Sequence, residues 1–405
     1  MSTRRRWQNV KGTQSRVTRP RERMVVALAD VAARLAAPAL PRPRMEPPRD
    51  VLVLRLDRIG DVLMSLPALH ALRAALPDAR IRLAVGEWSR GIAGDAPVDE
   101  VLVWSAPWVG RADEGASTMS GLFAEARRLR VAPPDLAIDL QGDVRALWLM
   151  AATGARSRVG YANTGSGALL TRVVDLDEGL NFVEQNRRAI DAALGRPLPR
   201  ATFRWLDESR RRAGRERLHA ALAGAGLAPR GPIVGMHPGA GRPIKEWPVE
   251  RFAELGERLA REANATLVLT GSSSEKARSA AIHAAAPGAS LDLSGHLDLG
   301  GLAEVMSACD AFVSCDTAAM HFACAIDVPS VAIFGPSDPG RYFPGGPSGF
   351  GSRQPHIVLA PDLWCSPCNL IRRPPEECVA LPAPECLSTL DVDTVFRATI
   401  RLLTP

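Results

Sequence analysis

The chain has 405 residues, 46% of them hydrophobic and 23% charged, a composition that suits a water-soluble protein and is too long for one ordinary core. Its net charge of +6 is confined to residues 1–50, where 12 basic side chains face 4 acidic ones; the rest carries 38 against 40, which excludes a basic nucleic-acid-binding body. No run of about 18 apolar residues occurs, so no membrane-spanning helix is expected.

In chain order, Arg4, Arg5 and Arg6 precede an apolar stretch from Met24 to Leu40 that Asp30 and Arg34 interrupt, against the pattern of a cleaved signal peptide. Two readings of residues 1–49 stay open: a disordered basic, Pro-rich leader, or a short amphipathic helix resting on an anionic membrane surface. After the linker at Pro41–Pro48, the nearly continuous apolar run Val51–Leu56 predicts a buried parallel strand, and Val62, Leu63, Leu66, Leu69, Leu72 and Leu76 follow at helical spacing. Further strands are expected at Ile81–Val85, Glu100–Trp104 and Leu136–Leu140, separated by helical or loop stretches such as Leu122–Leu129. An Arg-rich helix over 206–223 reads as a connector. Beyond it, strands at Ile233–Met236, Ala265–Thr270, Ser290–Leu293, Ala311–Ser314 and Ser330–Phe334 alternate with helices at Val249–Ala263, Glu275–Ala286, Leu299–Cys309 and Ala318–Ala325. Strict βα alternation predicts two doubly wound α/β domains, 50–225 and 226–405, with ligands at the carboxyl ends of the strands.

Three strand-to-helix turns carry candidate chemistry. Cys315-Asp-Thr-Ala-Ala-Met-His321 opens a helix with small residues, so the N–H groups of Thr317, Ala318 and Ala319 and the helix dipole suit a pyrophosphate; Asp316 or Thr317 is alternatively a plain cap, and His321 a structural histidine. His237-Pro-Gly-Ala-Gly-Arg-Pro-Ile-Lys-Glu-Trp-Pro248 brings Gly239 and Ala240 close to a ligand and supplies Lys245, one of only three lysines against 47 arginines. The third turn, Asp57-Arg-Ile-Gly-Asp61, has carboxylates where a phosphate loop would have glycines; Asp61 is a general base on an acceptor hydroxyl or a cap of the following helix.

Arg55-Leu-Asp-Arg-Ile-Gly-Asp-Val-Leu-Met-Ser-Leu-Pro-Ala-Leu69 resembles the opening motif of glycosyltransferase family 9, the ADP-heptose:lipopolysaccharide heptosyltransferases. The likeness continues in order through Asp135–Gly142, His237-Pro-Gly-Ala with Lys245 and Trp247, Ser314–His321 and Val331–Asp338. It implies a GT-B architecture, two Rossmann-like domains facing across a cleft, and an inverting, metal-independent transfer that needs no cofactor. It further implies Asp61 as the base, Lys245 on donor phosphate, and the backbone at Thr317–Ala319, after Asp316, on the pyrophosphate. Glu275 stands near the place of a ribose-binding glutamate, and Ala318 replaces the usual glycine. The donor is then a nucleotide-diphosphate sugar and the acceptor a lipopolysaccharide core or similar glycolipid. Arg58 and Arg145 are candidates for the acceptor's acidic groups, and the expected place is the cytoplasm, peripheral to the inner face of the membrane. An epimerase, a hydrolase or a non-catalytic nucleotide-sugar-binding module on the same fold is the rival reading. Cys365, Cys368, Cys378 and Cys386, spaced C-x2-C-x9-C-x7-C, leave a structural zinc, a reduced loop and disulfides open.

Overall fold

The computed structural model describes residues 20–43, 46–109, 117–200, 203–229, 231–346, 349–363, 365–368 and 385–404. The chain divides into two compact units, Met1–Ala201 and Thr202–Pro405.

The first unit runs through helix α1 (Pro20–Ala36), strand β1 (Asp50–Leu54), α2 (Ile59–Ala75), β2 (Arg80–Val85), α3 (Arg90–Ala93), β3 (Glu100–Val103), α4 (Met119–Arg128), β4 (Leu136–Asp139), α5 (Val144–Ala152), β5 (Ser157–Gly160), β6 (Arg172–Val173) and α6 (Phe182–Leu194). Its six strands are all parallel, in the order β3-β2-β1-β4-β5-β6. Strand β1 is fully buried from Val51 to Leu54 because helices cover both faces of such a sheet, which is why its sequence is a continuous apolar run.

Helix α1 resolves the two readings of residues 20–36 in favour of a helix, and one that is docked. Val26 and Ala33 are buried, Asp30 accepts the amide hydrogen of Ser166, and Arg158 reaches from β5 to the carbonyl of Pro41 at 3.1 Å.

The second unit runs through α7 (Glu208–Gly224), β7 (Ile233–His237), α8 (Val249–Glu262), β8 (Thr266–Leu269), α9 (Lys276–Ala285), β9 (Ser290–Asp292), α10 (Leu299–Met306), β10 (Ala311–Cys315), α11 (Ala318–Ala325), β11 (Ser330–Ile333), α12 (Pro339–Tyr342), β12 (His356–Leu359), α13 (Glu385–Ser388) and α14 (Val392–Leu403). The sheet order β12-β11-β10-β7-β8-β9 repeats the winding of the first unit, and all pairs are again parallel.

The boundary expected at 226 moves to 202. Helix α7, taken for a connector, belongs to the second core: Leu218 and Leu222 pack with Ile233, Val268 and Val305. Gly214 lets α7 approach α10 so closely that a methyl group there would lie 2.1 Å from the carbonyl oxygen of Glu304. Arg210 and Arg217 then flank the Glu304 carboxylate at 3.3 and 3.4 Å.

Candidate functional site

In each sheet the strand order reverses between two central strands, β1 and β4 in the first unit and β7 and β10 in the second. The crevice beyond such a switch point is where open α/β sheets receive ligands. All three candidate turns leave one of these four strands.

In the first unit β1 delivers Arg55, a charged residue that is 1% exposed. A buried guanidinium must have partners, and this one donates to the carbonyls of Leu140 at 2.5 Å and Asp61 at 3.2 Å, and stands 3.5 Å from the Asp61 carboxylate. Asp61 is the third residue of α2, and its other carboxylate oxygen accepts the amide hydrogen of Arg58 at 3.3 Å. The base and cap readings of Asp61 are therefore compatible: the side chain closes the helix start, is oriented by Arg55, and remains 26% exposed. On the neighbouring strand Asp139, at the end of β4 and opposite Leu54, is fully buried and accepts from the Gly142 amide at 2.5 Å, while its second oxygen has no hydrogen-bond partner among the described residues. Burial pushes its carboxyl up to about 8; the Gly142 hydrogen bond and Arg55 oppose the rise, and the charges of Asp57 and Asp143 add to it.

Of the two acceptor candidates, Arg58 is exposed and lies 5.9 Å from the Trp88 ring centroid. Arg145 is exposed too, but it is held by both oxygens of Asp143, at 2.8 and 2.7 Å, and stacks 4.5 Å above Trp108, so much of its charge is already answered.

In the second unit Lys245 lies at the end of a short turn, Pro243–Lys245, beyond β7. Its ammonium is 2.6 Å from Asp316, which follows β10, and the two side chains are only 14% and 3% exposed. Burial would raise the Asp316 pKa, but the charge and hydrogen bond of Lys245, with smaller help from the Ser337 hydroxyl and His321, together hold the carboxyl below its ordinary value. Asp316 thus fixes the lysine rather than capping the helix. Helix α11 consequently begins without a side-chain cap at Thr317, whereas α5, α6, α7, α10 and α14 each begin under one. The N–H groups of Ala318 and Ala319 lead this uncapped terminus, an arrangement suited to an anion. His321, one turn in, is 6% exposed.

The adjacent loop sets the other wall. Gly239 and Ala240 are buried, and Glu275 rests directly on Gly239, where an added methyl group would lie 1.8 Å from its carboxylate oxygen. Glu275 itself accepts from the amide and hydroxyl of Ser272, each at 2.7 Å, and is 3.9 Å from His237. Burial lowers the His237 pKa, with Glu275 opposing, and its ring nitrogen Nδ1 pairs with the Thr270 hydroxyl at 3.2 Å. Trp247 is the anchor of the loop. It is wholly buried, its indole donates to the Leu390 carbonyl at 2.9 Å, and its amide faces the Cys315 sulfur at 3.3 Å.

The family model for glycosyltransferase family 9 (heptosyltransferase) matches residues 122–376. Lipopolysaccharide heptosyltransferase 1 of Pseudomonas aeruginosa is 30% identical over 332 residues, 78% of this chain and 85% of that protein. The chain belongs to glycosyltransferase family 9. Lipopolysaccharide heptosyltransferase 2 of Salmonella typhimurium is 26% identical over 71% of this chain and 83% of its own length. Among solved structures, a family 9 glycosyl transferase from Veillonella parvula (TM-score 0.67, 23% identity, 88% of this chain and 97% of that one) and the ADP-heptose lps heptosyltransferase II of E. coli (TM-score 0.66, 22% identity, 87% and 98%) share the two-sheet GT-B fold.

In this family 9 glycosyltransferase, two residues of the switch points carry more than their sequence contexts suggested. Arg55 and Asp139 are charges inside otherwise apolar strand runs, and that anomaly was the available signal. Of the cysteine cluster, Cys386 is buried, Cys368 is exposed with its sulfur 3.9 Å from the Pro336 carbonyl, and Cys378 lies outside the described residues. Among the described residues no group of three metal-ligating side chains converges.

Proposed function

We propose that this glycosyltransferase moves a heptose from ADP-heptose to the core of a lipopolysaccharide or similar glycolipid, with inversion and without a metal ion, at the cytoplasmic face of the membrane. Family membership supports the substrate class, and what supports the chemistry is an oriented, accessible Asp61 in the first unit and, in the second, an uncapped α11 start beside Lys245.

In this reading Asp61 takes the proton of the acceptor hydroxyl as its oxygen bonds to the anomeric carbon, while the bond from that carbon to the β-phosphate oxygen breaks. A single displacement from the opposite face inverts the centre. Charge develops on the departing diphosphate, where the Thr317–Ala319 backbone and Lys245 meet it. Protein groups thereby supply the leaving-group stabilisation, and full activity in excess chelator is the expected result. Asp316 sets the position of the lysine at the expense of part of its field. Glu275, next to Gly239, is a suitable acceptor for ribose hydroxyls, and Arg58 and Arg145, both exposed, are the candidates for an acidic acceptor group.

Asp61→Asn keeps the size of the side chain and removes the base. Transfer, followed by product mass, is expected to fall by about 10²–10⁴-fold, with the calorimetric Kd for ADP-heptose unchanged. An Asp61→Asn enzyme of full activity would exclude the base assignment. Steady donor turnover without any acceptor would favour the hydrolase or epimerase reading.

A further inference from the structure

Helix α1 has two opposite faces, and only one of them is used by the fold. Val26, Ala29, Asp30 and Ala33 face the first unit: Val26 and Ala33 are buried, the Ala29 carbonyl lies 3.4 Å from the Ser166 hydroxyl, and Asp30 accepts from the Ser166 amide. At 100° per residue, Met24, Leu28, Val31 and Leu35 fall on the opposite side of the helix, with Val25 at its edge. They are 61, 65, 54 and 78% exposed, and Val25 is 61% exposed. Elsewhere among the described residues only Val103, Val131 and Val173 are large, apolar and exposed, and they are scattered. A continuous stripe of such residues marks an interaction surface rather than ordinary surface leakage.

Charge selects the occupant. Residues 1–19, which lead directly into the helix, hold six basic and no acidic side chains, and Arg23, Arg34, Arg42 and Arg49 are exposed along and after it. A second copy of the chain would bring two such basic segments together, whereas an anionic lipid surface complements them. An apolar stripe flanked by arginines is the pattern of a helix lying in the headgroup boundary, parallel to the membrane. No helix among the described residues is long and apolar enough to cross a membrane.

We propose that the outer stripe of α1 docks the protein on an anionic bilayer, with Leu28, Val31 and Leu35 entering the interface and the exposed Arg23 and Arg34 of the same helix contacting lipid headgroups. The inference rests on the glycolipid-acceptor reading for its purpose and on the helix for its physics.

The test uses the full-length chain and its Leu28→Glu/Leu35→Glu variant in co-sedimentation with phosphatidylcholine vesicles, with and without phosphatidylglycerol. Both leucines point to water, so the thermal midpoint of the variant should match the wild type. The wild type is expected to partition onto the anionic vesicles in a salt-sensitive way, and the variant to lose more than about tenfold in partition. Equal partition of variant and wild type would overturn the proposal, as would a wild type that ignores anionic vesicles. A wild-type dimer that the variant converts to monomer, without lipid binding, would assign the stripe to self-association instead. Transfer to a delipidated acceptor should be the same in both proteins. If it is absent in both while vesicle binding holds, the functional reading fails and the docking surface stands.

Discussion

Replacing Lys245 with methionine tests whether the donor turn is held by the ion pair with Asp316. Methionine keeps the length and apolar bulk of the side chain and removes the charge, leaving a carboxylate that is 3% exposed with its cation gone. Breaking a buried pair by deleting one partner costs about 3–5 kcal/mol, and the residual 14% exposure of Lys245 places this site at the lower end. The double variant Lys245→Met/Asp316→Asn removes the orphaned charge and should recover more than half of the loss. The pH dependence has a definite sign. In the wild type the Asp316 pKa is depressed, so its stabilisation is present above the unfolded value and lost as pH falls through the folded one. In Lys245→Met, burial is opposed only by the weaker effects of Ser337 and His321 and raises the pKa, so the deficit is largest at neutral pH and shrinks toward about pH 5, where protonation relieves it. Urea unfolding at both pH values measures the free energies, and calorimetry with ADP reports the donor site, which should stay weakened in the double variant. A single variant within about 1 kcal/mol of wild type, well below the range for a broken buried pair, or a double variant no more stable than the single one, would refute the reasoning.

Three further outcomes follow from the same geometry. Asp139 is raised to about 8 by burial, so the unfolded chain releases its proton first and stability declines as pH climbs between the ordinary carboxylate value and 8. Asp139→Asn, which still accepts from Gly142, should flatten that slope and stabilise the protein at neutral pH by about 2–4 kcal/mol; parallel melting curves against pH for the two proteins would show that another group titrates. Gly239→Ala drives a methyl group into the Glu275 carboxylate, which should cost about 1–2 kcal/mol in unfolding measurements and weaken ADP binding; unchanged affinity would separate Glu275 from the donor. Trp247→Phe loses the indole bond to Leu390 and some core volume, for about 1.5–3 kcal/mol by denaturant titration, together with looser donor binding.

The apolar strands and the turns between them were readable because burial on both faces writes itself as a continuous hydrophobic run. The elements that escaped are those whose burial is polar. Helix α6 buries Glu184, paired with Arg187 and Arg200, Gln185, which donates to the carbonyls of Asp177 and Leu180, and Asn186, which donates to that of Met64, so it shows no clean apolar stripe. Strand β5 hides Arg158, whose guanidinium is answered by the carbonyls of Leu169 and Ala155, each at 2.6 Å. In the donor unit the scarcity of lysine singled out Lys245, yet its partner lies 71 residues away and is chosen by the β7–β10 pairing, a tertiary fact. The same distance effect assigned α7 to the second unit, where Gly214 and Glu304 meet only after both helices have packed.

The knot at Trp247 also has a temporal meaning. The turn that presents Lys245 is tied, through the indole of Trp247 and the guanidinium of Arg251, to the carbonyl of Leu390, 143 and 139 residues further along. Leu387, Leu390, Val392 and Val395 complete the core on which Trp247 and Phe252 sit. As the polypeptide leaves the ribosome, the strands of the second unit emerge well before this clasp. The turn that presents Lys245 therefore stays unfastened until Leu390 has emerged, so a site built on that turn matures late in synthesis, well after its own strands.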